Sequence, residues 1–431
     1  MTEPLPSCTI ELFAQGTWQA VASISLFGPA SAGWRAKTYS GYSVAWAIEH
    51  EGALDARALS SDFPVSLEPR SLPHWPVFLV DMLPQGYGRR ELLRELGLRQ
   101  TLDEAGDWPS LLAGAGNPIG HLRVAEAAQW LQTYSGPRQG FDDDEVAARS
   151  DHFIEHLSSH GLFVAGSSGV QGEWPKILLA RARDGLLYLD HTVDDADAVE
   201  HFIVKFGRGP DTDLARILRH EAPYMALAQL LGLRVHGPLT LRKHALFIPR
   251  FDRQVSHGQT LRLAQESIAT LTGQVGFDSV PSHNEVCRCL TRVVTDPQTE
   301  VLEYIRRDVA NLAFGNKDNH ARNTAVQRHW DGRVSLCPLF DFAPMYLHPD
   351  GIARRMRWQG KDASAPDWAQ VLDDVSIDCK LNRSTLAEGL RALASRLQEV
   401  LLQAPDLGVE PEVLRHVTPS VLAQVRALQA I

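Results

Sequence analysis

The chain has 431 residues, 44% hydrophobic and 22% charged, with a formal net charge of −10. That length exceeds one ordinary domain and fits two or three, the composition excludes a disordered chain, and the acidic balance excludes a surface that coats nucleic acid along its whole extent. No apolar run reaches bilayer-spanning length, the opening MTEPLPSCTIEL lacks the basic and apolar regions of a secretory signal, and Cys8, Cys287, Cys289, Cys337 and Cys379 show neither disulfide-framework nor zinc spacing, so free thiols in a reducing cytoplasm are expected.

The first stretch reads as β-rich. Ile10 and Leu12 alternate with polar residues, Gln15-Gly16 marks a turn, and a second run covers 18–26, which predicts a hairpin. Tyr42, Val44, Trp46 and Ile48 keep period two and predict a half-buried strand. Residues 77–98 read as helical, with Leu92, Leu93 and Leu96 at helical spacing and Gly97 as the stop. Residues 133–144, TYSGPRQGFDDD, read as a connector, and the main boundary is placed there.

Beyond it the pattern predicts a strand pair across a glycine-rich turn within 163–180, a β run at 201–206 and a helical block at 214–231 ended by Gly232. Pro223 inside that block implies a kink or a new helix start, because proline has no N–H to donate. An apolar strand at 241–251 follows. Residues 300–314 place Val301, Ile305, Val309 and Leu312 on one helical face, and 386–402 place Leu386, Leu390, Leu393 and Leu397 on another. No internal repeat is visible.

The polar run GNKDNHARNTAV, residues 315–326, lies between the 300–314 helix and a strand-like segment. Asp318 and Asn323 stand five residues apart in it, and Asp341 follows eighteen residues later. Phosphoryl transfer asks little more of a protein: one carboxylate to orient the attacking hydroxyl, and hard oxygen ligands to hold Mg²⁺ on the phosphates. Alone, such an Asp–Asn pair marks only an Asx-rich cap. Lys205 interrupts an apolar strand, where burial is costly unless an anion pairs with it. A phosphate or a helix carboxylate such as Glu221 would serve, and snorkelling at the strand end is the plainer alternative.

In order, Gly169-Val170-Gln171 with Lys176, then Lys205, Arg250-Phe251-Asp252-Arg253, the 316–323 loop and Asp341 resemble the motifs of the HipA family of bacterial type II toxin Ser/Thr kinases. Val80-Asp81-Met82-Leu83-Pro84-Gln85-Gly86 is similar to that family's short L-L-P-x-G turn, so the likeness spans most of the chain. The resemblance implies an α+β, two-lobed, protein-kinase-like (HipA-like) fold. Residues 1–132 would form a β-rich N-terminal subdomain, 145–253 an ATP-binding N-lobe, and 254–431 a helical C-lobe. It implies Asp318 as the catalytic base and Asn323 and Asp341 as Mg²⁺ ligands. Lys205, Lys176, His320 and the hinge Pro249, Arg250 and Phe251 would bind ATP. Ser167 or Ser168 would be the autophosphorylated serine, whose phosphate could eject the ATP-binding loop. Four residues, 172–175, separate Gln171 from Lys176 where the family has one, which puts the position of Lys176 in question.

The resemblance further implies transfer of the ATP γ-phosphate to a protein Ser or Thr, with an aminoacyl-tRNA synthetase among the family's targets and arrested translation or growth as the result. A HipB-like helix-turn-helix antitoxin would be the partner, and DNA would be met only through it. Two other readings stand beside this one: a nucleotide-binding co-repressor scaffold, and a Mg²⁺-dependent nuclease. His152-Phe153-Ile154-Glu155-His156 matches the H-x-x-E-H of inverted zinc peptidases, but no third ligand follows, and it reads as a polar helix. Arg354, Arg355 and Arg357 read as a solvated basic face, with an acidic partner as the alternative.

Overall fold

The computed structural model describes residues 5–98, 101, 103–134, 136–159, 176–207, 213–256, 258–276, 280–360, 362 and 365–431. The predicted N-terminal hairpin forms. β1 (Ser7–Ala14) pairs antiparallel with β2 (Thr17–Leu26) through Gln15 and Gly16, both at positive φ. With β3 (Thr38–Tyr42), β4 (Arg70–Leu72) and β5 (Leu122–Val124) they give a sheet of order β4-β3-β2-β1-β5 among the described residues.

The strand expected through residue 48 stops at Tyr42, and Val44–His50 is a helix. Ser43 Oγ accepts from Trp46 N at 3.4 Å and starts it. Trp46 and Ala47 turn inward, Trp46 meets His50 one turn on at 4.3 Å, and Val44 and Ile48 stay two-thirds exposed. Apolar period two misled here because only one of its later members is buried. The helical passage at 77–98 is two helices, Val77–Asp81 and Gly86–Glu95, parted around Pro84.

The second sheet has order β7-β6-β8-β10-β9, with β6 (Lys176–Ala182), β7 (Leu187–Leu189), β8 (Ala198–Phe206), β9 (Thr240–Arg242) and β10 (Ala245–Pro249). Residues 163–175 of the expected 163–180 pair lie outside the described residues; the described part, β6, pairs with β7 and β8. The 241–251 strand is likewise corrected to a hairpin. Lys243 takes a left-handed φ of 50°, and Arg242 faces Ala245 across the turn. The Asp213–Leu230 helix runs through Pro223 without a break and ends before Gly232 at φ 73°. Within the connector, Phe141 bridges to Leu187, so its end is stitched to the second sheet.

β11 (Arg253–Ser256) and β12 (Gln259–Arg262) form a ribbon, and β13 (Ala264–Ser267), β14 (Ala325–Arg328) and β15 (Val334–Leu336) form a small antiparallel sheet. The rest is helical. Pro297–Phe314 begins at Asp296, whose side chain accepts from Thr299 N, with Pro297 in the first turn. Val301, Ile305 and Val309 are fully buried, against the stripe Leu386, Leu390, Leu393 and Leu397 of the Arg383–Gln403 helix among others. Burying each such side chain contributes about 1.5–3 kcal/mol. Gly315 ends the Pro297–Phe314 helix at φ 70°, and a Cβ there would lie 2.8 Å from the Tyr346 ring. Only glycine satisfies both conditions. The polar loop therefore leaves the core in a fixed direction.

Candidate functional site

The 315–324 loop is laced to itself. Asn316 Nδ2 donates to Asn311 Oδ1 at 2.9 Å and reaches the Asp341 carbonyl at 3.4 Å. His320 N donates to Asp318 O, Asn323 N to His320 O, and Asn323 Nδ2 to Asp318 O at 2.7 Å. Pinning Nδ2 on the backbone turns the amide oxygen of Asn323 outward as the atom able to meet a cation. Asp341 arrives from β15 with a left-handed φ of 53°, a conformation an aspartate tolerates better than most residues.

Two lysines meet it there. Lys205 in β8 donates to Glu221 Oε1 of the Asp213–Leu230 helix at 2.6 Å and also to Asp341 Oδ1. Lys176 opens β6 directly opposite Lys205, and its Nζ stands 4.0 Å from Asp341 Oδ2. The Glu221 partner expected for Lys205 is thus in place, and both lysines are buried. Burial alone would lower Lys205, but the Asp341 and Glu221 charges raise it. Burial lowers Lys176, and Asp341 opposes this only in part. Burial would raise Asp341, yet Lys205 and Lys176 hold it below the ordinary carboxylate range.

Among the described residues, no lysine or arginine stands at bonding distance from Asp318. Burial and the charge of Asp341 push its carboxyl up to about 6, against the pull of Lys176 and Lys205. His320 Nε2 lies 4.0 Å from Asp318 Oδ1, and burial lowers that imidazole to about 4. The backbone N–H of Arg322 donates to His320 Nδ1 at 3.2 Å. An N–H can only donate, so Nδ1 is unprotonated and Nε2 carries the hydrogen.

Most of these groups line one cleft, while Asp318 and His320 stand beside it and are not among its lining residues. Ile203, Ile248, Leu339 and Phe340 supply apolar walls, and Lys176, Lys205, Glu221, Asn323 and Asp341 the polar end. Pro249, Arg250 and Phe251 border it as well, but the Arg250 side chain is fully buried behind the wall. It pairs with Asp190 at 3.0 Å and Asp252 at 2.7 Å, and its amide donates to His201 O. Arg250 can therefore offer the cleft backbone, not its guanidinium.

Sequence reasoning missed the groups behind and beside this wall. Asp190 also binds His201 at 2.6 Å and Asn117 at 2.8 Å, and Asp252 accepts from Gly120 N. Leu59, Phe78, Asp81 and Met82 of the N-terminal segment close the far side of the cleft. Only the two arginines and the single aspartate of the R-F-D-R run could have signalled this network.

Ser167, Ser168 and Gln171 lie outside the described residues. His156 is buried while His152 is exposed, their helix packs on Phe141, and no three His, Cys, Asp or Glu side chains gather as a metal cage among the described residues. The basic cluster is corrected in part. Arg354 is mostly buried, bonds Asp362 and lies 3.9 Å from Asp308, while Arg357 stands 3.7 Å from Asp362 and Arg355 is exposed. The described cysteines are free, and four of the five are buried. No helix among the described residues is long and apolar enough to cross a membrane.

The family described as HipA-like C-terminal domain matches residues 168–401, more than half of the sequence. The chain belongs to the HipA-like family. It is 24% identical over 413 residues to "Putative kinase Y4mE" of Sinorhizobium fredii, covering 90% of this chain and 92% of that protein. It is also similar to a chain of the solved Shewanella oneidensis MR-1 complex of HipA, HipB and operator DNA, with TM-score 0.66 and 18% identity over 97% of this chain and 96% of that one. At that identity the likeness carries the fold: a HipA-like α+β architecture of two sheets followed by a helical lobe.

Proposed function

We propose that this HipA-like chain is an ATP-dependent protein kinase acting on serine or threonine, and the toxin of a pair whose antitoxin is a HipB-like helix-turn-helix protein. The observation that carries the reading is the meeting of Lys205, Glu221 and Asp341 from a strand, a helix and a distant loop, beside the Asp318–Asn323 loop. A buried lysine held by two carboxylates next to a carboxyl with a raised pKa is costly as mere structure and apt for phosphoryl transfer.

Asp318 would take or orient the proton of the acceptor hydroxyl. The acceptor oxygen bonds to the γ-phosphorus as the bond to the ADP oxygen breaks, and the proton leaves through Asp318. Lys205 and Lys176 would hold the phosphates, with Glu221 fixing Lys205 in place. The oxygen donors of Asn323 and Asp341 suit a hard cation, and Mg²⁺ there would neutralise phosphate charge. Adenine would lie between the apolar walls, against backbone groups of Pro249 and Phe251.

The finer expectations rest on family likeness. They are subdomains at 1–132, 145–253 and 254–431, inhibitory autophosphorylation at Ser167 or Ser168, a target such as an aminoacyl-tRNA synthetase, and contact with DNA only through the antitoxin. The named solved relative sits with HipB and operator DNA, which supports the partner. Purified protein incubated with γ-labelled ATP, Mg²⁺ and a supercoiled plasmid tests the reading. Label transfer that is lost in Asp318→Ala supports it. Plasmid nicking without ATP would favour a nuclease, and ATP binding without transfer a co-repressor scaffold.

A further inference from the structure

We infer that Asp81, contributed by the N-terminal segment, is a positioning residue for the 315–324 loop, an inference that rests on the kinase reading of that loop. Asp81 closes the Val77–Asp81 helix at the margin of the cleft. One carboxylate oxygen accepts from Ser267 N at 3.1 Å and Thr270 Oγ1 at 2.7 Å, and the other from Ser267 Oγ at 2.9 Å. The same carboxylate lies 3.5 Å from Arg322 Nε.

Both of its targets hold the loop. The turn that Asp81 grips presents Ile268 N to Thr324 O at 2.9 Å and Ala269 N to Ala321 O at 3.0 Å. Arg322, whose side chain is 7% exposed, is the residue whose amide fixes the tautomer of His320, and His320 faces Asp318. One carboxylate thus braces the loop from beneath, through the turn, and from its side, through the guanidinium. An ion pair this enclosed is screened far less than one in open solvent.

A plainer role would be to glue the N-terminal segment to the rest of the molecule. That task has other anchors. Arg328 donates to the carbonyls of Asp55, Ala58 and Leu59, and Ser61 donates twice to the buried Glu266. Loss of Asp81 should therefore loosen the loop and leave the segment docked.

The test is Asp81→Asn in the full chain. Removing the charge while keeping the shape should lower kcat for phosphoryl transfer by about ten- to a hundredfold, the range for a misplaced catalytic group, with KM for ATP within about twofold. Deuterium exchange should accelerate in peptides covering 316–324 and stay unchanged across 7–26. Arg322→Gln removes the same contact from the loop side, and the double variant should lose no more than the worse single. Unchanged kcat with unchanged loop exchange overturns the inference, as does acceleration across 7–26 that accompanies the loop's. A wild-type protein that transfers no phosphate fails the kinase reading, and the exchange pattern still decides the role of Asp81.

Discussion

Replacing Lys205 by methionine asks whether the buried cation serves chemistry or stability. Lys205 Nζ lies 2.6 Å from Glu221 Oε1, with both side chains 6% exposed. At an effective dielectric constant of about 20, unit charges at that separation attract by about 6 kcal/mol. Desolvating each ion costs several kcal/mol, so the intact pair is close to neutral against a packed apolar pair. Truncating one member is different. Lys205→Met keeps the aliphatic stem but strands the Glu221 carboxylate and leaves Asp341 to Lys176, 4.0 Å away, at a cost of at least about 3–5 kcal/mol at pH 8. Burial already raises Glu221, and loss of Lys205 removes the charge that opposes this. A raised folded pKa gives a penalty that is complete above that value and vanishes below the unfolded glutamate value of about 4.3. Urea unfolding at pH 8 and near pH 4.5 measures it. Lys205→Met with Glu221→Leu removes the Glu221 charge, leaves Asp341 with Lys176, and should recover most of the lost stability, with label transfer still lost. A single variant that loses less than about 1 kcal/mol at pH 8, or equally at both pH values, would refute the electrostatic argument. A double variant that transfers phosphate would refute the role in chemistry.

Asp318 must be ionised to act as a base, and burial with the Asp341 charge sets it at about 6. We predict that kcat/KM rises with pH through that value and then levels, read from initial rates between pH 5 and 8; a flat profile contradicts it. The same raised pKa makes the ionised carboxylate a burden on the fold above it. Asp318→Asn should therefore raise the melting temperature at pH 8 and change it little at about pH 2.5, below the unfolded aspartate value of about 3.9, where the carboxyl is protonated in both states. Arg250→Met should leave Asp190 with only His201 and Asn117, and Asp252 with Arg253 and Gly120 N, and cost about 3–5 kcal/mol in urea unfolding, whereas a loss below about 1 kcal/mol would show that those remaining partners suffice.

The residues that could be read early were those whose neighbours in sequence are also their reason for being. Gln15-Gly16 makes a hairpin because its backbone turns left-handed, and the 386–397 stripe makes a helix because its burial has period 3.6. Lys205 announced itself by its cost, and Glu221 answers it from sixteen residues away. Failure came where burial is decided by distant chain. Val44 and Ile48 fit a strand pattern but lie exposed on a helix, and Arg354 reads as solvated until Asp308 and Asp362 fold against it. The hinge shows a third kind of miss. Arg250 borders the cleft, yet its side chain turns away to satisfy Asp190, which nothing local predicts.

The N-terminal segment also bears on what the cleft is. A boundary near residue 132 suggests an appendage, but buried polar contacts cross it at three places. Gly120 N and Asn117 Nδ2 reach Asp252 and Asp190 behind the hinge, the carbonyls at 55, 58 and 59 take the Arg328 guanidinium, and Asp81 holds the turn beneath the loop. Each crossing ties a charged group on one side to partners on the other, and those pairings would be lost if the segment moved away. Such losses cost about 1–3 kcal/mol apiece, so separation is opposed at the hinge, the small sheet and the loop together. Under the kinase reading, the apolar wall, Asp318 and the donors Asn323 and Asp341 would thereby be tied to one shared frame, as a transfer reaction requires.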